Sequence, residues 1–169
     1  RLLSLSEMKH IFLVDDSMIL NMALDQFLRS EGYRTTMLPS GEECLKALAE
    51  GEVPDIILMD IDFGPGKLNG PDTTKRVLET ADIPVVLHSA YTDKATLDMT
   101  KEMTRYGYIR KQPGNEQFIL ANIEMALQLH TSKKLYKELF QNSNDAIFLH
   151  TLNEAGMPST FFEVNDVAC

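Results

Sequence analysis

Residues 56–60 have the sequence Ile56-Ile57-Leu58-Met59-Asp60, in which four apolar side chains are followed by an aspartate. A continuous apolar run of this length is typical of a strand that is buried on both faces, as the strands of a parallel sheet are. The aspartate then lies at the carboxyl end of the strand, and ligands of open α/β sheets bind at that edge. The stretch therefore predicts a parallel sheet and makes Asp60 the first candidate for a functional site.

Four further stretches are predicted to be strands: His10–Val14, Arg34–Leu38, 84–88 and 107–110. Patterns of helical period alternate with them along the chain. Strands that alternate with helices through short loops favour a parallel sheet covered by helices on both faces. The predicted fold class is therefore α/β.

Sequence signals mark the ends of the first two predicted helices. The first helix follows Ser17, and four apolar residues with helical spacing are expected to form its buried stripe: Leu20, Ala23, Leu24 and Phe27. Ser40 and Glu43 form a capping box at the start of the second helix, which is expected to end at Gly51.

Three more helices are expected in the second half of the predicted domain. Pro71 suits the first turn of the third helix, which follows a loop rich in glycine and proline. Thr92 is expected to cap a fourth helix. The last helix is expected from Asn115 to about Leu139, and it is long enough to project beyond the sheet as a linker.

Length and charge limit the possible functions. The 169 residues are enough for one full domain and a small second unit. Acidic residues outnumber basic ones by 25 to 16, which gives a net charge of -9. Nucleic-acid surfaces need clustered lysine and arginine, so we expect no nucleic-acid partner.

No apolar run approaches the roughly 18 residues of a membrane span, and two distant cysteines do not form a metal or disulfide framework. We expect a cytoplasmic segment, without membrane contact, cut from a longer chain.

Polar side chains follow four of the five predicted strands. Asp15 and Asp16 follow the first strand, Asp60 the third, Ser89 the fourth and Lys111 the fifth. Because the carboxyl ends of parallel strands meet at one edge, we expect these side chains to lie close together. Three crowded carboxylates repel one another unless a cation lies among them. Mg²⁺ prefers such oxygen ligands, so the sequence predicts a magnesium site at this edge.

This combination of groups suits phosphoryl chemistry. A carboxylate beside Mg²⁺ can act as a nucleophile toward a phosphoryl group, whose charge an ammonium group and a hydroxyl can share. Asp60, Lys111 and Ser89 fit those three roles. Each residue also has a structural interpretation: the acidic pair could cap the first helix, and Ser89 and Lys111 could be ordinary surface residues. His10 and His88 flank strands, and we expect both to be structural histidines with hydrogen-bond partners.

The arrangement resembles the receiver domain of two-component response regulators over roughly residues 9–130. The matching features are the acidic pair, an aspartate 44 residues after Asp16, the hydroxyl of Ser89, and a lysine 22 residues later. The resemblance implies a flavodoxin-like (βα)₅ fold with strand order 2-1-3-4-5. It also implies that Asp60 is phosphorylated by the phosphohistidine of a histidine kinase or phosphotransfer protein.

The resemblance further implies a role for each residue of the site. Mg²⁺ would be held by Asp16, Asp60 and the backbone carbonyl of Asp62, while Asp15 would act largely through bound water. Three departures from the family pattern accompany this match. One is that Asp62 and Tyr91, at positions that in this family tune loss of the phosphoryl group, are an acid and a bulky ring. The loop at 63–70 is longer than the usual Met-Pro-x-Met-x-Gly, and Gln112 separates the lysine from the following proline.

The resemblance also implies a switch. Ser89 would follow the phosphoryl group, and Tyr108, three residues before Lys111, occupies the aromatic switch position. The surface expected to change consists of the helix after Thr92, the strand at 107–110 and the helix from Asn115. A homodimer is expected through that face or through the linker helix.

The C-terminal residues resemble the opening of a PAS sensor domain, at 139–148 and 161–168. An ordinary β-hairpin appendage is the alternative. About 30 residues are fewer than the roughly 40 that usually fold alone, so we expect this tail to be disordered or to pair with another surface.

The expected organisation is a lead at 1–8, a receiver domain at 9–130, a helical linker at 131–138 and a truncated PAS start at 139–169. A sensor histidine kinase or hybrid relay protein is the expected parent.

Two other functions remain open on the sequence alone. Asp60-Ile61-Asp62 is a D-x-D after a strand, as in phosphohydrolases that resemble the haloacid dehalogenase group, but there the D-x-D precedes the acidic pair. A receiver-like scaffold that never takes a phosphoryl group is the other alternative. Whether the segment counts as an enzyme therefore stays open, because it is expected to accept a phosphoryl group rather than to turn over substrate.

Overall fold

The computed structural model describes residues 8–90, 98, 106–155 and 157–168. The chain forms two compact units, Arg1–Leu127 and Gln128–Cys169. None of the helices in the described part of the chain has both the length and the apolar character that a bilayer crossing requires.

The first unit is built on a five-stranded parallel sheet. Its strands are β1 (His10–Val14), β2 (Arg34–Leu38), β3 (Ile56–Asp60), β4 (Val85–Ser89) and β5 (Tyr108–Arg110). They pair in the order β2-β1-β3-β4-β5, which confirms the predicted α/β class and strand order. All five residues of β1, β3 and β4 are buried, as the apolar runs predict.

Helices cover both faces of this sheet. The described helices are α1 (Met18–Ser30), α2 (Gly41–Ala49), α3 (Gly70–Thr80) and α4 (Glu116–Gln141). The helix expected after Thr92 lies outside the described residues. Alternate side chains along each strand point to opposite faces, so two separate cores form. One core packs the sheet against α2 and α3, and the other packs it against α1 and the first part of α4.

The buried face of α1 differs from the predicted stripe. The structure buries Asn21, Leu24 and Leu28, whereas Leu20 is 53% exposed. The cause is a hydrogen bond that a hydropathy pattern does not contain: the amide Nδ2 of Asn21 donates to the carbonyl of Asp15 at 3.1 Å. This bond turns the polar Asn21 inward and ties the helix to the end of β1. The predicted stripe was therefore wrong for part of its length.

The start of α2 follows its sequence signal. The hydroxyl of Ser40 accepts a hydrogen bond from the backbone N–H of Glu43 at 3.3 Å, as the capping box predicts. Cys44 and Ala47 face the core. Gly51 follows the helix with a positive φ of 96°, a conformation that glycine adopts without strain.

The second unit contains an antiparallel hairpin of β6 (Phe148–Leu152) and β7 (Pro158–Val164). Buried Asn165 holds it together, since its Oδ1 accepts from the N–H of Ile147 and its Nδ2 donates to the carbonyls of Phe140 and Asp145. Phe140 is 5% exposed and stacks on Tyr136. The expectation of a disordered or partner-dependent tail therefore differs from the structure, because one asparagine satisfies three backbone groups within the unit.

Candidate functional site

Three carboxylates meet at the carboxyl edge of the sheet. Oxygen atoms of Asp15, Asp16 and Asp60 all lie within 4.8 Å of one another. Asp15 and Asp60 are buried and Asp16 is exposed. Asp15 and Asp16 directly follow β1, and Asp60 is the last residue of the neighbouring β3, so the parallel pairing of these two strands creates the cluster.

The ammonium group of Lys111 bridges the two buried carboxylates. Its Nζ lies 2.6 Å from Oδ2 of Asp15 and 2.7 Å from Oδ2 of Asp60. Burial alone would lower the pKa of Lys111, but its hydrogen bonds and charge interactions with both aspartates outweigh burial and raise the pKa. Lys111 therefore stays protonated and supplies a fixed positive charge at the centre of the cluster.

Each buried carboxylate is also oriented by a backbone N–H. The N–H of Ile61 donates to Oδ1 of Asp60 at 2.7 Å, and the N–H of Ser17 donates to Oδ1 of Asp15 at 2.8 Å. Burial raises the pKa of Asp60, Lys111 lowers it and the charge of Asp15 raises it, with a net increase. Asp60 is thus a more basic carboxylate than a free aspartate, which suits a nucleophile.

Ser89 and Tyr108 lie on the strands beside the cluster. Ser89 is fully buried at the end of β4, and its carbonyl accepts the backbone N–H of Lys111 at 2.8 Å. Tyr108 is half-buried, and its hydroxyl donates to the carbonyl of Ser89 at 3.4 Å. The structure therefore links Ser89 to both the lysine and the aromatic residue through its main chain.

The side chain of Asp62 lies outside the carboxylate cluster. It is exposed, and its Oδ1 accepts the N–H of Gly64 at 2.8 Å in a local turn. The carboxylate of Asp62 therefore stabilises the loop rather than the cluster.

The two strand histidines differ from each other. His10 has partners, since its Nε2 lies 2.8 Å from Oγ1 of Thr36 and its Nδ1 lies 2.7 Å from Arg34. Nε2 of His88 is buried and has no hydrogen-bond partner within the described part of the chain. The expectation of a partnered histidine was therefore wrong for His88. Burial, followed by the charge of Lys111, lowers the pKa of His88 to about 3.

Replacing His88 with leucine is expected to make the fold less sensitive to acid. A lowered pKa means that the neutral ring stabilises the fold fully above its unfolded pKa of about 6.5. That stabilisation is lost as the pH falls toward about 3, at up to about 1.4 kcal/mol per pH unit. Chemical denaturation of both proteins between these pH values measures the difference. Parallel curves for the wild type and His88→Leu would contradict the expectation.

Comparisons with known proteins agree with this geometry. The family model described as the response regulator receiver domain matches residues 11–124. The DNA-binding response regulator MtrA of Mycobacterium tuberculosis is 30% identical over 120 residues, which cover 71% of this chain and 51% of that protein. The transcriptional regulatory protein CseB of Streptomyces avermitilis is 27% identical over 124 residues, which cover 73% and 51%. The chain spans about half the length of these curated relatives.

Solved structures give the same result. The N-terminal domain of a response regulator/sensory box/GGDEF three-domain protein from Carboxydothermus hydrogenoformans is 32% identical with a TM-score of 0.68, and the match covers 75% of this chain and 99% of that one. A CheY-like receiver domain protein from Methanospirillum hungatei has a TM-score of 0.66 at 22% identity, with 75% and 98% coverage. The second likeness concerns the fold alone.

Proposed function

Because the chain belongs to the response regulator receiver domain family, we propose that it is a phosphoacceptor switch in which Asp60 takes a phosphoryl group from a phosphohistidine. The donor is a histidine kinase or a phosphotransfer protein. The observation that carries this proposal is the cluster of Asp15, Asp16 and Asp60, in which the ammonium group of Lys111 bridges Asp15 and Asp60. Family membership alone would leave the acceptor residue open. Two carboxylates of the cluster, Asp15 and Asp60, are buried and oriented by backbone N–H groups, and the position of Asp60 at the carboxyl end of the central strand β3 favours it as the acceptor.

In the proposed reaction a carboxylate oxygen of Asp60 attacks the phosphorus atom of the donor. An oxygen–phosphorus bond forms as the nitrogen–phosphorus bond breaks, and the imidazole leaves with the electron pair and takes up a proton. Lys111, 2.7 Å from the attacking side chain, keeps Asp60 ionised and offsets charge on the phosphoryl oxygens. The N–H of Ile61 holds the other carboxylate oxygen.

We propose that Mg²⁺ is the cofactor of this site. Asp15, Asp16 and Asp60 supply the hard oxygen donors that Mg²⁺ prefers, and the main-chain carbonyl of Asp62 completes the proposed set. Ligands of one ion lie at most about twice the metal–oxygen distance of roughly 2.1 Å apart. A spread of 4.8 Å among the carboxylate oxygens therefore fits after a small movement. When bound, the ion would neutralise charge on the phosphoryl oxygens.

We propose that Ser89 and Tyr108 carry the switch. A dianionic group on Asp60 offers the Ser89 hydroxyl a charge-assisted hydrogen bond. Tyr108 contacts the Ser89 main chain, so a shift of Ser89 reaches the aromatic ring. The face that responds is made by the helix expected after Thr92, β5 and α4, and the same face or the linker part of α4 is the proposed site of self-association.

One experiment separates this function from its two rivals. The protein is incubated with acetyl phosphate, with and without Mg²⁺, and its intact mass is measured alongside free phosphate. A single phosphoryl adduct that depends on Mg²⁺ supports the switch. Continuous phosphate release without an adduct would favour the phosphohydrolase, and no reaction would favour the scaffold. The order of the acids along the chain also disfavours the phosphohydrolase, because there the D-x-D precedes the acidic pair, whereas here Asp60-Ile61-Asp62 follows Asp15 and Asp16.

We propose that the parent protein is cytoplasmic and carries a PAS sensor domain after the receiver. The support is the PAS-like sequence of the second unit and the name of the Carboxydothermus protein, in which a sensory box accompanies the response regulator domain. A sensor histidine kinase or hybrid relay protein is the proposed parent. The net charge of -9 disfavours a nucleic-acid surface on this segment.

Removing the chain beyond Lys137 is expected to leave the receiver's thermal midpoint within about 3 °C of its original value. Every described member of the two receiver cores lies at or before Leu127, so this cut removes none of them. Differential scanning calorimetry of both lengths measures this. A cut before Ile119 is the control, because it removes buried Ile119, Leu120 and Ile123 and is expected to unfold the domain. A loss of more than about 10 °C after the first cut would show that the tail is integral to the receiver.

A further inference from the structure

The loop from Ile61 to Asn69 connects the candidate phosphoacceptor to α3. Its middle part is exposed to solvent. All four residues from Gly64 to Lys67 are exposed. Gly64 and Gly66 have positive φ angles of 83° and 81°, a conformation in which glycine is favoured and the unfolded chain keeps much freedom. Such a loop needs contacts on both sides of its exposed part to keep one conformation.

Two contacts flank this exposed stretch. On one side the ring of Phe63 is buried in the core shared with α2 and α3. On the other side the backbone N–H of Leu68 donates to Oε1 of Glu42 at 2.8 Å, although Glu42 precedes it by 26 residues. This hydrogen bond is also the main cause of the lowered pKa of Glu42. Glu42 thus ties the loop to the first turn of α2.

The loop ends directly against the phosphoacceptor. The N–H of Gly70 donates to the carbonyl of Ile61 at 2.9 Å, and a side chain at Gly70 would overlap the main-chain carbonyl of Asp60. Leu68 precedes Gly70 by two residues. Because only one residue separates Leu68 from Gly70, a displacement of Leu68 also moves the backbone of Gly70, which packs against the main chain of Asp60.

The helix that carries Glu42 is itself fixed at this junction. A side chain at Gly41 would overlap the hydroxyl of Thr73, so the start of α2 and the first turn of α3 are in close contact. The same hydroxyl donates to the carbonyl of Asn69 at 2.7 Å, and the side chain of Asn69 caps α3 by accepting the N–H of Asp72 at 2.8 Å. Glu42 therefore holds Leu68 from a helix whose first turn packs closely against α3.

We propose that Glu42 is a positioning residue for Asp60, acting through Leu68 and Gly70 to hold the main chain behind the attacking carboxylate. The inference deepens the proposed phosphoacceptor function and rests on it. Nucleophilic attack requires reacting atoms at a defined distance and angle, and small displacements of a supporting residue lower the rate strongly. Glu42 thereby adjusts how fast Asp60 takes up the phosphoryl group without touching it.

Three variants test this role in the full chain. Glu42→Ala removes the acceptor for the Leu68 N–H, whereas Glu42→Gln keeps an acceptor oxygen and removes the charge. Glu43→Ala is the matched control, because Glu43 is the next residue of the same helical turn and its carboxylate lies 3.9 Å from Lys46 on the exposed surface. Amide hydrogen exchange at Leu68 and Gly70 reports the position of the loop. The rate of uptake from acetyl phosphate with Mg²⁺ reports the effect on Asp60.

We expect Glu42→Ala to speed exchange at Leu68 and Gly70 and to slow uptake by about fivefold, with Glu42→Gln and Glu43→Ala within about twofold of the wild type. The thermal midpoints of the three variants should agree, since neither Glu42 nor Leu68 belongs to either core. Unchanged exchange and uptake in Glu42→Ala would overturn the inference while leaving the phosphoacceptor function in place. If the wild type takes up no phosphoryl group, the proposed function fails. Exchange at Gly70 then decides the positioning contact alone: faster exchange in Glu42→Ala supports it, and unchanged exchange overturns it.

Discussion

Asp60→Asn is expected to abolish phosphoryl uptake from acetyl phosphate and Mg²⁺. The amide has nearly the same shape as the carboxylate, but it is neither anionic nor an effective nucleophile, so the new oxygen–phosphorus bond does not form. The intact mass should stay that of the unmodified chain under conditions that modify the wild type. Asp62→Asn is the matched control, since its carboxylate is two residues away and bonds only to the loop in the described structure. Uptake by Asp60→Asn at the wild-type rate would exclude Asp60 as the acceptor.

The same variant is expected to be more stable than the wild type at neutral pH without Mg²⁺. Burial raises the pKa of Asp60 in the folded state. A carboxyl group with a raised pKa stabilises the fold below its unfolded pKa, and this contribution is lost as the pH rises through the folded pKa. The ionised group therefore costs stability at neutral pH, and asparagine removes that cost. The gain should disappear below about pH 4, near the unfolded pKa of aspartate.

Lys111→Ala is expected to lower the free energy of unfolding by about 3 to 5 kcal/mol without Mg²⁺. The substitution leaves the carboxylates of Asp15 and Asp60 buried beside each other without the ammonium group that lies 2.6 and 2.7 Å from them. Urea denaturation measures the loss, and added Mg²⁺ should restore part of it by binding the same oxygens. Lys9→Ala is the control, because Lys9 also lies 2.7 Å from an aspartate, Asp55, but its side chain is 60% exposed. Such exposed pairs contribute about 0 to 1 kcal/mol.

Lys111→Ala should also accept the phosphoryl group yet switch poorly. Moving a population from 1:99 to 99:1 takes roughly 5.5 kcal/mol, and one hydrogen bond from Ser89 supplies only about 1 kcal/mol. The lysine must therefore contribute to the change. Amide chemical shifts with and without beryllofluoride, which mimics the phosphoryl group, measure the response. A full wild-type response in the variant, or an equal loss of stability in Lys9→Ala, would contradict this role.

The sheet could be predicted because its strands carry a strong hydropathy signal. Runs such as Ile56–Asp60 are apolar throughout, since helices cover both faces of the sheet. The meeting of the carboxylates at one edge then follows from parallel pairing. The strand order was predicted from the resemblance to receiver domains, and the structure has the same order. The start of α2 was also predictable, because a capping box is a local signal.

The remaining features depend on tertiary hydrogen bonds that hydropathy does not encode. Asn21 turns inward because its amide reaches the carbonyl of Asp15, and this displaces the buried stripe of α1. Nothing in the sequence around His88 indicates that its Nε2 lacks a hydrogen-bond partner among the described residues. The contact between Glu42 and Leu68 joins residues from different elements, so sequence spacing could not reveal it.

In the C-terminal tail, too, the hydropathy pattern does not reveal the stabilising hydrogen bonds. The apolar residues of the tail predict that it packs, but they do not show which side chains hold the hairpin together. Asn165, which follows β7, bonds to the backbone of Phe140, Asp145 and Ile147 and closes the hairpin within its own unit. A polar side chain thus determines the structure of a segment whose sequence pattern emphasises aromatic and aliphatic residues.

The most direct test is to locate the phosphoryl group after incubation with acetyl phosphate and Mg²⁺. Borohydride reduces an aspartyl phosphate to homoserine, and peptide mass spectrometry then identifies the modified position. The account predicts homoserine at position 60 in the wild type, and no homoserine anywhere when Mg²⁺ is withheld. Homoserine at position 15, 16 or 62, or modification of the chain without Mg²⁺, would contradict the claim that Asp60 is the acceptor at a magnesium-dependent site.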